Sequence, residues 1–134
     1  DRKSRTFTNV ANVFKGFMPK DEDPFCYCAG YNFYLRPAKE RDSIKDKPID
    51  REIAAKTLQK VISILKPEYV VFLSKKSYSV FKKECKGFKQ EFPSVVFVAF
   101  AHPSSNWWNR KHGKDKLNAK ERFTKFLSEK VFNK

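Results

Sequence analysis

Residues 94–100, SVVFVAF, and residues 69–73, YVVFL, are short, uninterrupted runs of apolar, β-forming side chains. Such runs do not alternate between polar and apolar residues, which is typical of strands in a parallel sheet that helices cover on both faces. The aromatic-rich segment 25–33 has no helical period either, and it predicts a third buried strand with Asn32 near its carboxyl end. Together the three segments predict a small parallel sheet.

Helical patterns surround these segments along the chain. Apolar residues recur at spacings of three and four within 7–17, 53–65 and 117–131, which predicts amphipathic helices, and a basic helix follows the strand at 69–73. The resulting order, α-β-α-β-α-β-α, predicts an α/β fold: a three-layer α/β/α arrangement in one domain of 134 residues. The predicted boundaries of the later helices lie at three polar residues and one glycine: Asp50, Ser74, Gly87 and Asp115.

The charge of the chain favours a polyanionic partner. Lys and Arg number 29 and Asp and Glu number 15, which gives a formal net charge of +14. Nucleic acid is therefore the first candidate partner and an anionic membrane surface the second. Segment 75–90 has six basic residues and one acidic residue, and segment 109–134 has nine and three. Lysine-rich helices are also compatible with a merely soluble face, although these two segments flank one loop.

Composition and pattern exclude several classes of protein. Hydrophobic residues make up 40% of the chain and aromatic residues 16%, so a packed body carries the charge and a basic disordered tail is excluded. No apolar run approaches the roughly 20 residues that cross a bilayer, and no secretory signal pattern is present. We therefore predict a cytoplasmic, intracellular protein that does not enter a membrane. The isolated glycines form no phosphate-binding loop, which disfavours nucleotide hydrolysis.

The three cysteines, Cys26, Cys28 and Cys85, lack the spacing of a zinc site, and their odd number argues against a disulfide framework. We predict reduced thiols, with Cys26 and Cys28 as small apolar residues on one face of the strand at 25–33. No metal and no cofactor are predicted.

Three loops follow the predicted strands, and ligands bind at the carboxyl ends of the strands in sheets of this kind. The loops are 32–37, 74–76 and 102–109, and the last is the most informative. It places His102 and two serines after a buried strand, on a backbone stiffened by Pro103, and two exposed-looking tryptophans follow. The histidine is also compatible with capping the strand, the serines with capping a helix, and the tryptophans with folding back onto the core.

Segment 96–105, a strand that runs into His-Pro-Ser, resembles the second motif of the uracil-DNA glycosylase superfamily. Segment 31–37, YNFYLRP, is similar to the part of that family in which an asparagine reads the flipped base. Segment 65–74, LKPEYVVFLS, looks like the family's passage from a helix through Lys-Pro to a strand and a small residue. The similar segments occur in the family's order, from about residue 25 to residue 132.

The resemblance implies an enzyme of base-excision DNA repair that flips out uracil or a related damaged base and releases it. Cleavage of the glycosidic bond sends negative charge onto the uracil ring, so a hydrogen-bond donor aimed at O2 stabilises the transition state more than the ground state. His102 is the implied catalytic donor, and the amide of Asn32 is the implied reader of uracil N3 and O4. The residues expected to bind DNA are Pro103, Ser104, Ser105, Asn106, Trp107, Trp108, Arg110, Lys111, Lys75 and Lys76.

The family's first motif, a Gly-rich strand and loop that position the attacking water, is not recognisable in residues 1–24. The resemblance therefore predicts a first strand that is lacking or displaced, and residues 1–134 as part of a longer glycosylase-like domain. Two alternatives remain open: a non-catalytic nucleic-acid-binding module of the same fold, and a basic α/β domain that docks onto an acidic protein. The sequence does not distinguish single-stranded from double-stranded DNA, nor does it indicate an oligomeric state.

Overall fold

Two parallel strands, β1 (Tyr69–Phe72) and β2 (Val96–Ala99), form the sheet, with Tyr69 opposite Val96 and Phe72 opposite Ala99. The computed structural model describes residues 5–26, 28–30, 32–34 and 45–133. The chain divides into two units, which we call the central unit (Tyr31–Ala99) and the terminal unit (Asp1–Gly30 with Phe100–Lys134). The sheet belongs to the central unit. The protein is thus a mixed α/β chain with a small parallel sheet, as the apolar runs predict.

Helices account for most of the remaining regular structure. Within the described ranges, none is both long and apolar enough to cross a membrane. The helices are α1 (Arg5–Lys15), α2 (Pro48–Leu65), α3 (Lys75–Glu84), α4 (Phe88–Glu91) and α5 (Ala119–Phe126). A 3-10 turn (Asn106–Trp108) precedes α5, and a π-helical turn (Leu127–Val131) follows it.

The start of α3 confirms the sequence prediction, whereas the start of α2 corrects it. Ser74 is the N-cap of α3, and its Oγ accepts the backbone N–H of Ser77 at 3.2 Å. Asp50 is not the N-cap of α2, because the proline at N1 lets the helix begin at Pro48. The Asp50 carboxylate instead reaches back from the first turn and accepts the backbone N–H of Lys47 at 2.9 Å.

Two other predicted helix boundaries are wrong. The last helix does not begin at Asp115, because the Asn118 side chain accepts the Glu121 backbone N–H at 2.7 Å and caps α5. Helix α3 ends at Glu84, and Gly87 is the residue that precedes the one-turn helix α4. For α2 and α5 the predicted polar residue therefore located the helix start to within a few residues and did not identify the cap.

The predicted strand at 25–33 is also wrong for the described residues, which form turns and irregular backbone there. The chain turns at Asp23, whose carboxylate accepts the Phe25 N–H at 2.9 Å. The Phe25 ring then packs edge-on against Phe7 and Phe14 of α1, so its apolar surface is satisfied by a helix rather than by a sheet. Cys26 and Cys28 are consequently exposed thiols and not residues of a strand face; Cys85 is buried.

The core of the central unit is an aromatic cluster that joins the sheet to α2, α3 and α4. Phe81 is fully buried, with ring centroids 5.6 Å from Phe72, 5.3 Å from Phe88 and 6.0 Å from Phe97. The strands are less buried than the sequence predicts, since only Phe72 of their residues is fully inside and Val96 is 47% exposed. The covering of both sheet faces, and with it the three-layer arrangement, stays a prediction.

The core of the terminal unit is centred on Phe123 of α5, which is 2% exposed. Its ring lies 5.9 Å from Phe14 of α1, 5.3 Å from Phe100 and 6.1 Å from Trp108. The residue that follows β2 and the last residue of the 3-10 turn are therefore both held against α5. The loop between them, which contains His102, starts and ends on buried aromatic side chains.

Asp46 connects three segments of the central unit. Its carboxylate accepts the Tyr34 hydroxyl at 2.7 Å, and it forms ion pairs with Arg51 of α2 at 3.4 Å and Lys76 of α3 at 3.5 Å. The hydrogen bond from Tyr34, followed by those of the basic groups, lowers the pKa of Asp46 to about 2. Desolvation, followed by the same hydrogen bond, raises the pKa of Tyr34.

The first prediction concerns the aromatic core. Phe81→Ala should lower the free energy of unfolding by about 3–5 kcal/mol, because it removes a buried ring and leaves a cavity among three other rings. Urea unfolding followed by circular dichroism measures the change. Ile64→Ala is the matched control, since Ile64 is 76% exposed on α2 and its truncation should change the value by less than about 0.5 kcal/mol. Equal effects of the two substitutions would contradict this account of the core.

The second prediction concerns pH. The folded-state pKa of Asp46 is depressed, so its stabilisation is complete above the unfolded-state pKa of about 3.9 and is lost as the pH falls towards 2. Asp46→Asn should therefore destabilise the protein at pH 6, and the gap to wild type should close between about pH 4 and pH 2. Urea midpoints measured across this range test the prediction. Glu68 is exposed, so Glu68→Gln is the control. A gap that does not depend on pH would exclude the ionic contribution.

Candidate functional site

The loop after β2 is a tight turn built on His102. The His102 carbonyl oxygen accepts hydrogen bonds from the backbone N–H of Ser105 at 2.9 Å and from the Ser105 hydroxyl at 2.7 Å. Pro103 supplies the fixed φ of the second turn position, and its side chain is fully buried. The Asn9 side-chain amide of α1 donates to the Pro103 carbonyl at 2.7 Å. The turn is thus anchored on both sides of the proline, and His102 lies at an exposed corner of it.

Two donors of Ser104 determine the tautomer of His102. The Ser104 backbone N–H donates to Nδ1 at 3.1 Å, and the Ser104 hydroxyl lies 2.6 Å from the same nitrogen. A backbone N–H can only donate, so Nδ1 must carry a lone pair and the ring hydrogen must be on Nε2. No partner for Nε2 lies in the part of the chain that the structure describes. His102 therefore presents an N–H donor to an external acceptor.

Partial burial of the ring lowers the pKa of His102 below its ordinary value, because desolvation disfavours the imidazolium ion. Protonation would also place a hydrogen on Nδ1 against the Ser104 N–H. Both effects favour the neutral ring at pH 7. The site consequently offers a hydrogen bond from a neutral donor rather than from a fixed positive charge.

The two adjacent tryptophans have different surroundings. Trp108 is 2% exposed and packs in the core of the terminal unit, so the prediction that both tryptophans are exposed is wrong for this one. Trp107 is 47% exposed. The Arg110 guanidinium lies over the Trp107 ring, 5.6 Å from its centroid, and the His112 ring meets it edge-on at 4.9 Å. Of the two tryptophans, Trp107 is therefore the one that solvent reaches.

A small polar cluster, which we call the Arg122 clamp, holds the segment after Trp107. The Arg122 guanidinium donates to the His112 carbonyl oxygen and Nε2 and forms an ion pair with Asp115. The hydrogen bond from Arg122, followed by the one from the Leu117 backbone N–H, lowers the pKa of Asp115 to about 2. Gly113 has φ of +81°, and a Cβ there would meet an Arg122 nitrogen at 2.9 Å, so this position requires glycine.

The remaining predicted site residues are divided between the two units. In the terminal unit Ser104, Asn106, Arg110 and Lys111 are exposed. In the central unit Asn32 is exposed in irregular backbone, not at the end of a strand. Lys75 and Lys76 are exposed in the first turn of α3. Lys76, already paired with Asp46, also lines a cleft of about 440 Å³ together with Arg51, Ser79, Val80, Lys83 and Glu84.

Asn9 and the Arg122 clamp were not identified from the sequence. Asn9 lies 94 residues from its partner Pro103, and nothing near it in the sequence indicates the contact. Arg122 is one of three basic residues of α5, and nothing next to it in the sequence indicates its contacts with His112 and Asp115. Among the described residues no group of three or more His, Cys, Asp or Glu side chains is placed to hold a metal ion.

Comparison of the chain with protein-family models, curated protein sequences and solved structures finds no match.

The third prediction uses the two histidines as controls for each other. Nδ1 of His102 accepts hydrogen bonds, whereas Nε2 of His112 must accept because the Arg122 guanidinium can only donate. Nitrogen chemical shifts of the rings at pH 7.5 should therefore show the Nε2–H tautomer for His102 and the Nδ1–H tautomer for His112. The same tautomer in both rings would contradict the geometry of one of the two sites.

Proposed function

We propose that this protein is a uracil-DNA-glycosylase-like enzyme that flips uracil or a related damaged base out of DNA and releases it, as in base-excision repair. The observation that carries the proposal is the pair of Ser104 contacts on Nδ1 of His102, which leave Nε2–H as an outward donor. In this proposal the Nε2–H group donates to the O2 carbonyl of the leaving base.

The chemistry of base release explains why such a donor is useful. The glycosidic bond breaks with its electron pair going to the base, so negative charge accumulates on the ring oxygens while the sugar becomes cationic. Water then adds to C1′ of the sugar, and the released base takes up a proton. A donor that is already oriented stabilises this charge without a reorganisation step. Ser104 orients the ring from Nδ1, and the lowered pKa of His102 keeps it neutral at the working pH.

The proposal assigns recognition of the base to Asn32. Its amide has one acceptor and one donor, which match N3–H and O4 of uracil and mismatch the corresponding edge of cytosine. Asn32 is exposed, so a substrate can reach it. The proposal also includes the three-layer α/β/α fold of the glycosylases, which the parallel β1–β2 pair and its connection through α3 support.

DNA is the proposed partner, held through its phosphates by exposed basic residues. Ser104, Ser105 and Asn106 are the polar groups nearest to His102 in the chain, and Lys75, Lys76, Arg110 and Lys111 are the cations. Phosphate contacts of this kind weaken steeply as salt displaces them. A non-catalytic nucleic-acid-binding module is the second candidate, and the basic segment 110–116 beside the exposed Trp107 favours it.

The fourth prediction tests His102. His102→Ala should reduce release of uracil from a labelled oligonucleotide by about 10²–10³-fold, the loss typical for one transition-state donor. Ser104→Ala removes the hydroxyl and keeps the backbone donor, so its loss should be smaller. Lys60→Ala, an exposed residue on α2, is the control and should leave release unchanged. Release by the wild type should hold its pH 8 level to a lower pH than an ordinary histidine would allow, because partial burial lowers the pKa of His102.

Absence of release by the wild-type protein from both single-stranded and double-stranded uracil substrates would overturn the enzymatic proposal. If the same protein then bound DNA with steep salt dependence and no preference for uracil, the second candidate would replace it. Failure to bind DNA or RNA at low salt would exclude both and favour docking onto an acidic protein.

A further inference from the structure

Trp107 is a large apolar side chain left open to solvent in a chain that buries the tryptophan next to it. Trp108 is 2% exposed and Trp107 47% exposed. An indole is among the side chains that gain most from burial, and it is enriched where proteins contact ligands. The exposed part of the Trp107 indole is therefore accessible to a partner.

The ring is held in place before any partner arrives. It lies in a 3-10 turn that continues into a hydrogen bond from the Arg110 backbone N–H to the Asn106 carbonyl at 3.0 Å. The Arg110 guanidinium lies over one face of the ring, 5.6 Å from its centroid, so the face considered for a partner is the opposite one. His112 packs against the ring at 4.9 Å and is itself held by the Arg122 clamp. An ordered aromatic side chain loses little conformational entropy on binding, which makes it suited to a stacking contact.

The charges around the ring identify the chemistry of the partner. Arg110, Lys111, Lys114 and Lys116 are all exposed and lie within nine residues of Trp107 in the chain. The carboxylate of Asp115, in the same segment, is already paired with Arg122. The segment therefore combines a flat aromatic surface with cations that no described acid neutralises, a combination that fits a base and its neighbouring phosphates.

We propose that Trp107 is a stacking platform for one unpaired base, so that this surface takes single-stranded DNA rather than an uninterrupted duplex. In a duplex each base is stacked between its neighbours and only its edges are open in the grooves, so an indole face has nothing to stack on. An acidic peptide or an anionic membrane would satisfy the lysines and leave the ring without a flat partner. The inference rests on the proposed function in one respect, namely that the partner is nucleic acid.

The test compares one uracil-free oligonucleotide of about 12 nucleotides as a single strand and as a duplex, by fluorescence anisotropy of a label on its end. Loss of one stacked base weakens binding about 10-fold to 100-fold, so Trp107→Ala should lose that much affinity for the single strand. Trp107→Phe retains an aromatic face and should keep most of it. Ile64→Ala, an exposed apolar residue on α2, is the control and should bind as the wild type does.

Intrinsic fluorescence gives a second readout that does not depend on affinity. The single strand should quench the emission of Trp107, whereas buried Trp108 should report no change, so quenching should disappear in Trp107→Phe. Lys111→Ala should weaken the binding of both the single strand and the duplex, and it should lower the salt dependence of the affinity by about one phosphate contact. That pattern would separate a phosphate contact from a stacking contact.

The inference is overturned if Trp107→Ala binds the single strand like the wild type, or if the duplex binds as tightly as the single strand. Either result leaves the proposed function intact, provided that uracil is still released. The opposite outcome separates the two proposals in the other direction. If the wild type never releases uracil and the Trp107→Ala variant binds the single strand more weakly than the wild type, the enzymatic proposal is refuted and the stacking platform is supported. Absence of all DNA binding would overturn both.

Discussion

Two parallel strands of four residues each do not form a stable sheet by themselves. The sheet of the central unit therefore depends on the side chains that pack against it. Their hydrogen bonds persist because Phe72 of β1 and Phe97 of β2 pack into the same aromatic cluster as Phe81 and Phe88 from α3 and α4. The side chains of α2 complete this cluster with Ala55, Leu58 and Ile62. Burial of phenylalanine therefore holds the two strands in register.

Burial of aromatic side chains also anchors the His102 turn in the terminal unit. Phe100 before the turn and Trp108 after it both pack on Phe123, so the polar residues between them are a short span fixed at its ends. Within that span the donors are local and specific. Ser104 selects one tautomer of His102, while Arg122 selects the other tautomer of His112. One residue type thus acquires two opposite hydrogen-bonding roles within a single unit.

The basic side chains lie on the surface around these aromatic cores. Most of the basic residues of α3, α4 and the segment after Trp107 are exposed, and Asp46 and Asp115 are paired with specific cations. An excess of lysine would expand a weakly packed chain through self-repulsion. Here the cost is offset by burial of phenylalanine, which leaves the cations available to a polyanion.

The amino-acid sequence by itself determined the two strands of the described sheet, helices α1, α2 and α3, and the Ser74 cap, because apolar patterns and local capping act over a few residues. It also located the His102 turn, since His-Pro-Ser follows a strand. Tertiary structure alone decided that Phe25 packs on α1 and not in a sheet, because an aromatic run without a period satisfies either environment. It likewise decided which of two adjacent tryptophans is buried and which nitrogen of each histidine carries the hydrogen. Those outcomes depend on contacts with Phe123, Arg122 and the folded Ser104 turn, which exist only once the chain has folded.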